Sequence, residues 1–237
     1  MSLAVDLAVA KTTKYATRES GDTVEVIERP TGGVSVVTVD GQGSGRAAKT
    51  LSLLMTAKAV ALLKDGVRDG AVARAVHDHL FAFRGGQVSA TLDILSVDAA
   101  AQTVLLTRNA VTPAVAGHLG ALETVPVSSG PIGRYLRTRP QVFEWPMVDG
   151  WFVVTVTDGI AAAGERSGDG PFDVLAFLRR SALGACSAVE VADLILQEAI
   201  RRDAGKPGDD LTVVALALHQ HEGHPLIRRL SLAVPLP

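Results

Sequence analysis

The stretch Val36-Val37-Thr38-Val39-Asp40-Gly41 has a counterpart in kind at Val153-Val154-Thr155-Val156-Thr157-Asp158-Gly159. Each is a β-branched run that ends on an aspartate and a glycine. Such a run reads as a buried strand delivering one carboxylate to its carboxyl end, with the glycine letting the backbone turn away. A third acidic site, Asp209-Asp210, stands at the opposite end of a similar run, Leu211 to Leu218. If that strand runs antiparallel to the other two, all three acidic sites meet at one edge of the sheet. Carboxylates about 4 Å apart repel by roughly 4 kcal/mol per pair at an effective dielectric of 20, so a positive partner is required. No lysine or histidine adjoins these acids in sequence, and a hard divalent cation is the first candidate.

Outward from these runs, Leu3–Val9, Val24–Glu28 and Val34–Val39 read as strands, the last two joined by the turn Pro30-Thr31-Gly32-Gly33. That hairpin brings Asp22 near Asp40. Apolar residues at helical spacing predict one helix up to about Lys64 and a second from about Gly70 to Phe83. Strands resume at Val88–Val97 and Gln102–Thr107, then shorter extended pieces lead to Trp151–Thr157. A glycine-rich loop, Gly164 to Pro171, reads either as a mobile flap over the acids or as a plain connection. Helices follow at about Phe172–Leu183 and Ser187–Asp203, the second opened by a capping box of Ser187 and Glu190. Strands at Leu211–Leu218 and Leu226–Val234 close the chain. Helical pairs arriving between hairpin-linked strands favour an α+β layered fold over a doubly wound parallel sheet. No linker divides the chain, so residues 1–237 read as one domain.

Composition narrows the function classes. A hydrophobic content of 47% against 20% charged residues fits a folded globular protein. A net charge of −2 and 4% aromatic residues give no support for a nucleic-acid or membrane-surface partner. No apolar run reaches the roughly 18 residues that span a bilayer, and the amino terminus alternates like a strand rather than a signal sequence. The expected address is the cytoplasm. The single Cys186 reads as an inert small residue. His219, His221 and His224 read as a solvated loop between strands. His77 and His79, two apart on a helix, do not share a face. Arg179-Arg180 and Arg201-Arg202 end helices, where cations complement the dipole.

The segment Asp40-Gly41-Gln42-Gly43-Ser44-Gly45-Arg46 joins a strand to a helix amino terminus and admits three readings. A dinucleotide-binding turn would need a third glycine where Arg46 stands, and Asp40 would face the pyrophosphate. An Asp-Gly pair also marks an ordinary turn. In the remaining reading, Asp40 and the bare carbonyl of Gly41 coordinate a metal. An oxygen-only donor set suits Mg²⁺ or Mn²⁺ rather than zinc.

Gly21-Asp22, Asp40-Gly41-Gln42-Gly43-Ser44-Gly45, Thr157-Asp158-Gly159 and Gly208-Asp209-Asp210-Leu211-Thr212-Val213-Val214, in this order, resemble the metal-dependent protein serine/threonine phosphatases of type 2C. The likeness is to the bacterial branch typified by SpoIIE, RsbU and RsbX. Arg108-Asn109-Ala110 and Pro131-Ile132-Gly133 resemble that branch's Asn-Ala-Gly and Pro-Ile-Gly turns, and the match covers about residues 17 to 218. The resemblance implies two stacked antiparallel β-sheets flanked by helical hairpins, a four-layer α-β-β-α sandwich. It implies that Asp40 bridges two divalent cations (Mn²⁺ or Mg²⁺), that the Gly41 carbonyl binds one, and that Asp158 and Asp209 ligate the other. Asp22 would support the site directly or through water, and Asp210 would lie behind the ligands. Gln42 and Val111 depart from the branch pattern, and Arg18 and Arg46 are candidates for phosphate contact.

With little chain beyond the catalytic region, the likeness is most to the stand-alone RsbX type. The implied activity is hydrolysis of phosphoserine or phosphothreonine on a phosphorylated STAS-domain regulator. A catalytically inactive binding module for such a regulator is the alternative.

Overall fold

The computed structural model describes residues 2–181, 187–223, 230 and 233. Cys186, His224 and the strand expected at Leu226–Val234 lie outside the described residues.

Two five-stranded antiparallel sheets face each other. One has the order β2-β3-β4-β5-β8 and the other β1-β10-β9-β6-β7. The first is built from β2 (Asp22–Glu28), β3 (Gly33–Gly41), β4 (Ala90–Asp98), β5 (Thr103–Asn109) and β8 (Gln141–Pro146). The second comprises β1 (Ser2–Thr12), β6 (Ala114–His118), β7 (Ala121–Val125), β9 (Trp151–Val156) and β10 (Leu211–His221). Helices α1 (Gly45–Lys64) and α2 (Asp69–Arg84) cover the outer face of the first sheet. The short α3 (Asp158–Ala161), α4 (Val174–Arg180) and α5 (Ala188–Arg202) lie on the second.

The β-branched runs form β3 and β9 because their residues are buried on both faces, where alternation is not required. Val36 and Val153 join Leu95, Leu106, Val214 and Leu216 in the layer between the sheets, while Val37 and Val39 pack under α1 and α2. Three apolar layers result, one between the sheets and one beneath each helical pair. This is the expected four-layer arrangement.

Several expectations change in detail. β3 belongs to one sheet and β9 and β10 to the other, so the acids meet across the gap between two sheets, not along one edge. His219 and His221 are strand residues of β10, paired with Ala4 and Ser2 of β1, rather than loop. The cation pairs at helix ends also do more than complement a dipole. Arg201 forms a two-pronged ion pair with Glu198 at 2.7 Å, and Arg202 reaches the carbonyls of Ala163, Asp169 and Gly170. With Ser167 Oγ donating to the Arg202 carbonyl at 2.7 Å, these bonds tie the glycine-rich loop to α5 as a held connection.

Candidate metal centre

Antiparallel pairing places the acids together. In the β2–β3 hairpin Asp22 lies opposite Asp40. In the second sheet β9 runs against β10, Val156 opposite Val213, so Asp158 just after β9 and Asp209 just before β10 share one end. The sheets stack with both ends on the same side, and the charges of Asp22, Asp158 and Asp209 all act on Asp40. Asp158 stands exposed at the rim, Asp40 and Asp209 are half-buried, and Asp22 is 1% exposed beneath them.

Two close approaches seal this end. A Cβ on Gly41 would collide with the carbonyl oxygen of Ala48 in α1, and one on Gly159 would collide with the Asp210 carbonyl. Packing therefore already requires both glycines of the Asp-Gly pairs.

The deeper residues hold the ligand candidates in place. Asp22 Oδ2 accepts from Thr157 Oγ1 at 3.1 Å and from Thr212 Oγ1 at 2.5 Å, joining the first sheet to the second. Asp210 Oδ1 accepts from the Lys14 N–H at 2.9 Å, and Oδ2 from the Gly21 N–H at 2.7 Å. It thereby fastens the segment before Asp22 to β10. Below Asp158 a cavity of about 10 Å³, lined by Thr38, Asp93, Thr155 and Thr157 among others, has room for about one water.

Sequence reading missed Lys11 and Lys49, and it missed the partners of Arg108, Asn109 and Gln42. Lys11 Nζ and Lys49 Nζ donate to the Asp22 carbonyl at 3.0 and 2.9 Å, so lysines do approach the acids, from β1 and α1. Burial and the neighbouring Lys49 charge lower the pKa of Lys11, against the pull of Asp22 and Asp210. Arg108, 1% exposed, donates through Nε and Nη2 to both oxygens of Asp93, each at 2.9 Å. Asn109 bonds the carbonyls of Gly130 and Arg139 and closes the loop between them. Gln42, a departure from the branch pattern, accepts from Ser89 N–H at 2.8 Å. Alternating Thr at Thr155, Thr157 and Thr212 was the one available signal for a polar end to the inter-sheet layer.

The electrostatics favour a cation. Burial, then the charges of Asp22, Asp158 and Asp209, push the Asp40 carboxyl up to about 9, with its contact to Asp158 acting in the same direction. Burial also pushes Asp22 up to about 6. Asp158 is raised by desolvation and by the Asp209 charge, against hydrogen bonds from Gly159 N–H and Asp40. Among the described residues no three His, Cys, Asp or Glu side chains stand as a ready-made metal cage. Carboxylates crowded this closely disfavour one another's charge, and a divalent ion would neutralise that excess. An all-oxygen set with excess negative charge fits Mg²⁺ or Mn²⁺.

This sandwich, with acids at one end of its inter-sheet layer, is the fold of the type 2C protein phosphatases. The PP2C phosphatase domain of the cell fate determinant SpoIIE from Bacillus subtilis, solved with a fragment of its regulatory domain, superposes with a TM-score of 0.80. It is 22% identical, over 93% of this chain and 64% of that one. RsbX in complex with magnesium matches at a TM-score of 0.66 and 16% identity, over 90% and 95% of the two chains. Residues 30–219 match the family model described as Stage II sporulation protein E (SpoIIE), and the chain belongs to that family. Stage II sporulation protein E of Priestia megaterium is 25% identical over 222 residues, 92% of this chain but 37% of the relative. That of Bacillus subtilis (strain 168) is 22% identical over 222 residues, 92% of this chain and 26% of the relative. The chain thus spans well under half of these relatives' lengths.

Proposed function

We propose that this chain is a metal-dependent protein serine/threonine phosphatase, with residues 1–237 acting as one catalytic domain. Asp40, the Gly41 carbonyl, Asp158 and Asp209 would hold two divalent cations, Mn²⁺ or Mg²⁺. The observation that carries this reading is the convergence of Asp40, Asp158 and Asp209 from two sheets without an arginine or lysine salt bridge to any of them among the described residues. When bound, such cations supply the Lewis acidity that activates a water and neutralises phosphoryl oxygens during in-line attack.

The chain's own residues account for the rest. Asp22 and Asp210 anchor the loops that carry the ligands, the former through Thr157 and Thr212, the latter through Lys14 and Gly21. Arg46, exposed at the start of α1, and Arg18, exposed in the segment before Asp22, stand available to an incoming phosphoryl group. The substrate would be a phosphorylated regulator, following the branch resemblance a STAS-domain protein, and the site of action the cytoplasm. No helix among the described residues is long and apolar enough to cross a membrane.

The test is turnover of p-nitrophenyl phosphate with Mn²⁺, Mg²⁺ or a chelator, followed by a phosphorylated STAS protein. Asp158→Asn should leave the circular dichroism spectrum unchanged and lower Mn²⁺-dependent kcat by on the order of 100-fold or more. Undiminished turnover in that variant refutes the assignment. A wild type that binds a phosphoprotein but shows no metal-dependent turnover is the inactive binding module instead.

A further inference from the structure

Just before Asp209 the chain borders a groove of about 370 Å³. Lys14 and Tyr15 line it from the segment after β1, Arg166 and Ser167 from the loop after α3, and Asp203 and Lys206 from the turn between α5 and β10. Its volume is that of sites that accept small ligands or a few side chains.

The lining is cationic. Asp203 is its one acid, and both carboxylate oxygens are engaged from within. Oδ1 accepts from Gly164 N–H at 3.0 Å and Oδ2 from Gly208 N–H at 2.8 Å, with the Arg166 guanidinium 3.5 Å away. The Asp203 side chain is 5% exposed, whereas that of Arg166 is 62% exposed. Lys14 and Lys206 have no carboxylate partner among the described residues. Lys206 Nζ lies 5.5 Å from the centre of the Tyr15 ring, which holds the ammonium over the groove.

This lining is built onto the metal centre. Tyr15 N–H donates to the Pro207 carbonyl at 2.9 Å, and the Lys14 N–H to Asp210 at 2.9 Å. The Arg166 guanidinium lies so close over Gly208 that a Cβ there would collide with it. The groove's lining therefore ends at Pro207, two residues before Asp209 in the chain, yet no carboxylate of the centre is hydrogen-bonded by its lysine side chains among the described residues.

We propose that this groove is a subsite for acidic residues flanking the phosphorylated serine or threonine of the substrate protein. It rests on the phosphatase reading above. A protein substrate has to leave the centre across its rim, and carboxylates there would meet Lys14 and Lys206, which have no carboxylate partner among the described residues. The cations of the groove then favour acidic flanking sequences over neutral ones.

The test compares a phosphoserine peptide flanked by Asp and Glu with the same peptide carrying Asn and Gln, assayed with Mn²⁺ at low and high salt. The wild type should show a KM about five- to tenfold lower for the acidic peptide, a difference that shrinks as salt screens it. Lys206→Glu should abolish the preference, and Lys206→Gln should lose part of it, with kcat and p-nitrophenyl phosphate turnover unchanged. A wild type without the preference, or a Lys206→Glu variant that keeps it, overturns the proposal. Fluorescence anisotropy of the two labelled peptides in chelator needs no turnover and reads the subsite separately. Acidic-peptide binding that Lys206→Glu weakens, in a protein that hydrolyses nothing, would keep the subsite and remove the phosphatase reading.

Discussion

Asp22 and Asp40 face each other across one hairpin, but their surroundings give them different work. Asp22 is buried and spends one oxygen on the hydroxyls of Thr157 and Thr212, which suits a brace. Burial and the charges of Asp22, Asp158 and Asp209 push the Asp40 carboxyl up to about 9. An unfolded aspartate titrates near 3.8, so across that window the metal-free folded state binds the extra proton. Its stabilising contribution is full below about pH 4 and is lost as pH rises through about 9. The melting temperature in chelator should therefore fall as pH is raised through this range, and Mn²⁺ should restore it. Asp40→Asn cannot ionise. At pH 8 in chelator it should melt several degrees above wild type, at about 2–4 °C per kcal/mol, and show no Mn²⁺-induced shift. A variant that melts below wild type under those conditions contradicts the electrostatic account.

Among the elements, α5 has the ends that matter most. Its start was readable: Ser187 and Glu190 form the reciprocal capping box expected from their spacing. Its finish was not, because the partners of Arg202 lie thirty or more positions earlier in the chain. Arg202 fixes the carbonyls of Ala163, Asp169 and Gly170 and also stacks 5.2 Å from the Phe172 ring centre. Arg202→Ala should free this loop. Trypsin cleavage after Arg166 should then accelerate by about tenfold or more, since opening the loop no longer breaks several hydrogen bonds to a charged group. An unchanged cleavage rate would show that the loop is held by something other than α5.

At the scale of the molecule, the centre is divided between two sheets, with Asp40 on one and Asp158 and Asp209 on the other. The apolar layer between them sets their separation. Leu95, 1% exposed, packs there with Val36, Leu106, Val153 and Val214, and touches none of the acids' own hydrogen bonds. Leu95→Ala should cost about 2–5 kcal/mol in urea unfolding. It should also raise the Mn²⁺ concentration for half-maximal turnover, because a loosened layer no longer holds the two halves in register. A variant that loses the stability while its Mn²⁺ dependence stays the same would show that the acids are positioned locally, without the inter-sheet layer.

The chain order alone determined the strands that carry the acids and the long helices α1, α2 and α5, though not the short α3 that starts at Asp158, since β-branched runs, helical spacing, Asp-Gly endings and the Ser187–Glu190 box are signals that neighbouring residues carry. It also determined which carboxylates were candidates, because each stands at the end of such a run. Only the tertiary structure decided that β3 and β9 end in different sheets, because a strand's pattern records how buried it is and not which strand lies beside it. The same limit hid Lys11, Lys49, Arg108 and Thr212, whose partners come from other elements. A charge or hydroxyl has no periodicity of its own, and its role exists only once folding has brought its partner within hydrogen-bonding distance.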